Sequence, residues 1–116
     1  KTCICSKVHQ SPSDLIKSRG DSVELYCQHN ISSYNVILWY KSRVEQELTL
    51  LGNLVMSTDS YVPAFKDKNI IIKGNAIKDG TLTIKDLSVK DNAVYFCASL
   101  YNLITHQSEL EKQNYP

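Results

Sequence analysis

The 116-residue sequence predicts an all-β fold, a two-sheet sandwich, on three observations. Residues 22–28 alternate strictly, with Val23, Leu25 and Cys27 on one side and Ser22, Glu24, Tyr26 and Gln28 on the other. That is the period of a half-buried strand. Similar short runs recur between glycine-bearing turns at Arg19-Gly20-Asp21, Gly52-Asn53 and Lys78-Asp79-Gly80. Finally, the single tryptophan, Trp39, stands a dozen residues after Cys27, and Tyr95-Phe96-Cys97 follows near the end of the chain.

Length and composition bound the answer. The chain is of single-domain size and can bury roughly two-thirds of its unfolded surface. Formal net charge is +1 and the pI about 7.8, so no field favours nucleic acid or an anionic membrane. No apolar run approaches the roughly 20 residues a membrane helix needs. No secretory leader is visible, so the sequence is expected to be a mature or trimmed piece, with membrane attachment only through segments outside it. Four cysteines can pair in three ways. The acceptor tripeptide Asn30-Ile31-Ser32 marks Asn30 for N-glycosylation if the chain is exported.

Residues 1–7 read as an N-terminal tail, 8–112 as the domain and 113–116 as a C-terminal tail. Cys3, Cys5 and His9 offer three metal-ligating side chains. Zinc sites, however, space paired cysteines by two to four residues and take a fourth ligand, so no metal or other cofactor is expected. Two such close thiols bond each other only with strain, and are better placed to pair with another chain. Val8-His9-Gln10-Ser11, then Pro12, then Leu15-Ile16-Lys17 reads as an edge strand broken by a residue that cannot donate to a ladder. Arg19-Gly20-Asp21 spells an integrin-binding tripeptide, and a glycine turn between strands explains it equally well.

After the first alternating strand comes a polar loop from His29 to Asn35, then Val36-Ile37-Leu38-Trp39-Tyr40. If Trp39 and Ile37 face the core, Val36, Leu38 and Tyr40 face outward. On the last clear strand Ala93, Tyr95 and Cys97 face inward, leaving Val94, Phe96 and Ala98 outside. Both strands are thus apolar on two faces, whereas a sheet face open to water is polar. A contiguous apolar patch of this kind marks a protein–protein surface, with loop-covered core as the alternative.

Between them, Glu47-Leu48-Thr49-Leu50-Leu51 reads as a short strand with Gly52-Asn53 as its turn. Asn69-Ile70-Ile71-Ile72-Lys73 reads as another, its facing unresolved among three successive isoleucines. Lys78-Asp79-Gly80 turns into Thr81-Leu82-Thr83-Ile84-Lys85, with Leu82 and Ile84 inward, and all four glycines read as turn residues. Asp86-Leu87-Ser88-Val89-Lys90-Asp91 reads as the crossing turn, with the Tyr95 hydroxyl expected to reach back to its backbone as a tyrosine corner. From Ser99 the pattern loosens, and 100–116 reads as either a ragged last strand or a tail. No enzyme is expected: His9, His29 and His106 are scattered, and neither a nucleophile elbow nor a phosphate-loop glycine pattern occurs.

The segments Ser22-Val23-Glu24-Leu25-Tyr26-Cys27, Trp39-Tyr40-Lys41, Leu48-Thr49-Leu50-Leu51-Gly52, Thr81-Leu82-Thr83-Ile84 and Asp91-Asn92-Ala93-Val94-Tyr95-Phe96-Cys97-Ala98-Ser99 resemble a V-type immunoglobulin domain. Val8-His9-Gln10, the Leu-x-Leu-Leu-Gly run and the ending Cys-Ala-Ser resemble a T-cell receptor beta-chain variable domain most closely. The resemblance spans about residues 8–99. It implies a Greek-key sandwich with one inter-sheet disulfide, Cys27–Cys97, and Trp39 and Tyr95 as core markers. Such a bridge implies an oxidising compartment, hence the secretory pathway and the extracellular face of the plasma membrane.

The resemblance also implies two functional surfaces. Loops at 29–35, 52–58 and 99–105, with a fourth at 74–78 beside them, would meet a peptide–histocompatibility complex or another protein ligand. Their expected contacts are His29, Asn30, Ser33, Tyr34, Asn53, Leu54, Tyr101, Asn102 and Leu103. The outer face of the Trp39/Cys97 sheet, with Val36, Leu38, Tyr40, Ser42, Leu50, Val94 and Phe96, would pack on a second V-type domain or on a second copy of the chain.

Three residue patterns depart from the family. Nothing after Ser99 supplies Phe-Gly-x-Gly, and no glycine follows Gly80. Ser42 stands where a glutamine usually bonds across the domain pair. Ala64 precedes Phe65 where a basic residue usually pairs with the aspartate at position 91, leaving Lys66 or Lys68 as substitutes. The first two remove residues of the interface with an alpha-type chain, and the first is explained by the alternative of a germline-encoded, non-rearranged cell-surface immune or adhesion module that self-associates or binds a partner through its outer sheet face.

Overall fold

A computed structural model describes residues 8–11, 19–43, 47–66 and 69–102. Eight strands run in order: β1 (Val8–Ser11), β2 (Val23–His29), β3 (Val36–Ser42), β4 (Thr49–Val55), β5 (Thr58–Tyr61), β6 (Ile70–Asn75), β7 (Asp79–Ile84) and β8 (Val94–Leu100). They form two antiparallel four-stranded sheets, β1-β2-β7-β6 and β5-β4-β3-β8. The all-β, two-sheet expectation therefore holds. The expected break after Ser11, the strand at 15–17 and the ending at 103–116 lie outside the described residues.

Alternation decides what the sheets bury. In β2, Leu25 and Cys27 are buried while Glu24, Tyr26 and Gln28 are exposed. In β7, Gly80, Leu82 and Ile84 are buried. From the second sheet come Ile37, Trp39, Leu51 and Leu54, and Ile72 completes the same cluster from β6. Trp39 has no solvent exposure, and its register partner in β8 is Cys97. The Cys27–Cys97 bridge joins β2 to β8, hence sheet to sheet, with Cα atoms 6.2 Å apart. Closing a loop of 70 residues, it stabilises by about 4 kcal/mol through the unfolded chain's lost freedom.

Local chemistry holds the crossing between the sheets. A 3-10 helix at Val89–Asp91 is closed by a capping box: Ser88 Oγ accepts from Lys90 N–H, and Asp91 Oδ2 accepts from Ser88 N–H at 2.9 Å. The Tyr95 hydroxyl donates back to Asp91 O at 2.8 Å, so the tyrosine corner expected there is present. Burial, reinforced by the Asp91 carboxylate, pushes the Tyr95 phenol up to about 12. The recorded partners of the Asp91 carboxylate are Ser88 N–H and the Asn69 amide at 3.4 Å, not Lys66; Lys68 lies outside the described residues. An amide thus stands where a basic side chain was expected.

Two turn expectations are corrected. Gly52-Asn53 is not a turn: β4 runs through it to Val55, and the chain reverses at Met56-Ser57, where Met56 takes φ 55°. Likewise Gly80 lies inside β7, opposite Cys27, and the turn occupies 76–78. Only Gly20, at φ 86°, is a turn glycine of the expected kind. Of the three isoleucines, Ile72 and Ile70 pack on the core and Ile71 does not.

Glycine is required inside β4 and β7 for space rather than for turning. A Cβ on Gly52 would lie 2.2 Å from Ser60 O and 2.9 Å from Ile72 Cδ1; one on Gly80 would meet Ile37 Cδ1 and Leu54 Cδ2 at 3.1 and 3.2 Å. Next to Gly52, the β3–β4 register shifts between Trp39 and Tyr40, so Leu51 is an extra residue in β4. The bulge lets Leu51 and Leu54 both enter the core while Leu50 stays opposite Tyr40.

Candidate functional site

The apolar outer face predicted for the second sheet is present. Tyr40 pairs with Phe96, Ser42 with Val94 and Leu38 with Ala98, while Leu50 sits on the other side of Tyr40. Side chains directly opposite across antiparallel strands share a face, so these residues form one patch. Val94 is 58% exposed and Phe96 43%, with Leu48 58% exposed beside Leu50's strand. Leu38, Tyr40, Ser42 and Leu50 are partly exposed. Val36 is corrected: at 5% exposure it is already covered within the chain, although it is not part of the central cluster.

The opposite sheet is a control. Its outward residues with described side chains are Glu24, Tyr26, Gln28, Lys73, Thr81 and Thr83, polar or amphipathic, together with Ile71, partly exposed opposite Thr83. Tyr26, although 41% exposed, donates its hydroxyl to Glu24, which raises its pKa. One sheet therefore shows water a mainly polar face and the other a mainly apolar one.

The predicted loops do converge at one end, but fewer of their residues are available than expected. Asn30 and Ser33 are exposed, and Tyr34 is partly exposed, its ring 5.5 Å from that of His29. Tyr101 is 40% exposed, and Asn102 is exposed beside it; Leu103 lies outside the described residues. Leu54 has no exposure and belongs to the core, so it cannot touch a ligand without unfolding. Asn53 sits mid-strand, paired with Leu38 and Ser60, rather than in a loop. Both corrections have one cause, the passage of β4 through the glycine.

His29 is corrected as well. It ends β2 at 6% exposure, with Nε2 2.7 Å from Ala76 O and Nδ1 accepting from Ile31 N–H at 3.1 Å. Its pattern had shown this: His29 continues the inward series Val23, Leu25, Cys27. Sequence reasoning missed Asn35 as a site residue. It is 4% exposed, donates Nδ2 to Asn102 O at 3.2 Å and accepts Asn102 N–H on Oδ1 at 2.8 Å. An asparagine opening an apolar strand was the available signal.

No helix among the described residues is long and apolar enough to cross a membrane. Nor do the described residues bring together a group of His, Cys, Asp and Glu able to hold a metal ion.

Comparison with known proteins agrees with this geometry. The immunoglobulin V-set domain family matches residues 10–114. T cell receptor beta variable 12-5 of Homo sapiens is 34% identical over 99 residues, which cover 83% of each chain. T cell receptor alpha variable 36/delta variable 7 of Homo sapiens is 32% identical over 92 residues, 79% of each chain. A chain of the solved structure "Structural basis of T cell specificity and activation by the bacterial superantigen toxic shock syndrome toxin-1" superposes with a TM-score of 0.76 at 24% identity, covering 82% of this chain and 81% of that one; it speaks for the fold. The chain belongs to the immunoglobulin V-set family, and within it is most like T-cell receptor variable domains.

Proposed function

We propose that this chain is an antigen-receptor variable domain that recognises a protein surface, such as a peptide–histocompatibility complex, through its loop end. In this reading it is displayed on the extracellular face of the plasma membrane and pairs with a second V-type domain, or a second copy of itself, through the β4-β3-β8 face. The observation that carries the reading is the asymmetry of the two sheets. Val94 and Phe96 stand exposed on one outer face, while the other is mainly polar, with Ile71 partly exposed among its threonines and charged residues. An apolar patch beside a polar rim is a protein-binding surface. At the loop end, Tyr34, Tyr101 and Ser33 supply the amphipathic and small polar side chains that paratopes use.

Analytical ultracentrifugation of the secreted chain, alone and with alpha-type variable domains, tests the pairing. Phe96→Lys and Val94→Lys should abolish association while leaving the fold intact, because both side chains are exposed. If mass and ligand binding are the same in wild type and variants, the sheet face is not a partner surface. A screen against peptide–histocompatibility complexes, with Tyr34→Ala and Tyr101→Ala as probes, tests the loops.

A second reading is favoured by one observation in the sequence: no glycine occurs between Gly80 and Pro116, so the 17 residues after Ser99 do not carry the family's Phe-Gly-x-Gly. A germline-encoded, non-rearranged receptor module accounts for that. Sequencing transcripts decides between them, since diversity confined to 99–108 supports rearrangement and a single invariant sequence opposes it.

A further inference from the structure

The buried polar side chains among the described residues are His29 and Asn35. Both lie at the loop end, where an apolar side chain would pack at lower cost than a polar one that must find partners. Their partners form a closed circuit. Ala76 O faces His29 Nε2 at 2.7 Å, and His29 Nδ1 accepts from Ile31 N–H at 3.1 Å. Ile31 O accepts from Tyr34 N–H at 3.0 Å, and the next residue, Asn35, accepts Met56 N–H on its backbone oxygen at 3.0 Å. Met56 O then accepts from Ala76 N–H at 2.8 Å, closing the ring. Asn35 extends it to the fourth segment through its two side-chain bonds to the Asn102 backbone.

The circuit crosses between the sheets. Ala76 belongs to the β6–β7 turn of one and Met56 to the β4–β5 turn of the other. Met56 makes that reach at φ 55°, a conformation a methionine adopts only at a cost. The two bonds to His29 also fix its proton on Nε2, since Nδ1 is receiving one.

We propose that His29 and Asn35 are positioning residues that couple the four loop segments into one body, so that the recognition surface keeps or loses its shape as a unit. This rests on the reading that the loop end is the recognition surface. Neither side chain need touch ligand. Their effect reaches it through Tyr34, whose ring lies against His29, and through the segment at 101–102 held by Asn35.

Amide hydrogen exchange on the whole, disulfide-intact chain tests the coupling without any ligand. His29→Leu should speed exchange at Ile31 and, beyond it, at Met56 and Asn102 by about tenfold or more, with Ile72 unchanged as the fold control. Asn35→Ala should do the same at Ile31 and Ala76. Asn35→Asp keeps the acceptor for Asn102 N–H and should retain protection there, a rescue that loss of packing would not produce. His29→Gln keeps the donor to Ala76 and serves if the leucine variant does not fold. Acceleration confined to Ile31 in the His29 variants and to Asn102 in Asn35→Ala overturns the proposal.

A nanobody whose epitope contains Tyr34 and Tyr101 supplies the binding readout. It should weaken about tenfold on both His29→Leu and Asn35→Ala, while one bound over Thr81 and Thr83 should not. Equal affinity for wild type and variants overturns the positioning role. Coupled exchange in a chain whose partners use only the sheet face would instead leave the ring standing and remove the recognition reading.

Discussion

Replacing Gly52 by alanine examines the feature that organises the β5-β4-β3-β8 sheet. The added methyl would sit 2.2 Å from Ser60 O, 2.9 Å from Ile72 Cδ1 and 3.1 Å from Tyr61 Cα. The isoleucine methyl can rotate aside, but the carbonyl and Cα belong to the neighbouring strand. Gly52 pairs with Tyr61 there and with Trp39 on the other side, so relief requires β4 and β5 to part. Overpacking of this type costs about 1–3 kcal/mol when side chains yield. Backbone displacement puts the expectation at the upper end, about 3 kcal/mol.

Urea unfolding with the disulfide intact measures that cost, as a lower midpoint at unchanged slope. A domain this size should lose about 10 °C or more in thermal midpoint. Gly20→Ala separates crowding from conformation. Nothing lies within 4 Å of its Cβ, but φ is 86°, so it should cost about 1 kcal/mol from backbone alone. If Gly52→Ala costs no more than Gly20→Ala, the close approach of β5 does not explain the glycine.

Three further outcomes are expected. Tyr95→Phe removes the hydroxyl bonded to Asp91 O and should cost about 1 kcal/mol near neutral pH. Because the folded phenol is raised to about 12, its contribution is complete below about pH 10 and lost as pH climbs toward 12; alkaline unfolding should be correspondingly flatter in the variant. Leu54→Ala should lower stability by about 2–5 kcal/mol in chemical denaturation, as expected of a side chain with no exposure. Removing both Cys27 and Cys97 should cost about 4 kcal/mol, measured against the oxidised chain.

Much of the fold is legible in residue order because it follows from periods and local chemistry. Strict alternation identified the inward faces of β2, β7 and β8. Asp91 to Tyr95 carried the corner, since a hydroxyl reaching back four residues is a short-range feature, whereas the bridge from Cys97 to Cys27, 70 positions away, came from the family resemblance. The apolar outer patch was equally readable, because a two-residue period assigns Phe96 and Tyr40 to the face opposite Cys97 and Trp39.

What the sequence by itself could not decide is whatever depends on a neighbour from elsewhere in the chain. Gly52 and Gly80 carry turn chemistry in isolation, and only β5 pressed against the one and Ile37 and Leu54 against the other show why glycine stands inside a strand. Asn53 and Leu54 left the expected recognition loop because β4 runs through Gly52 to Val55, and the bulge at Leu51 then sets which face each of them takes. The inward position of His29 was legible in the alternation, but its partner Ala76, 47 positions away, was not, and neither was Asn102, 67 positions from Asn35. Period fixes which way a side chain points, whereas its partner across the sandwich is set by tertiary packing alone.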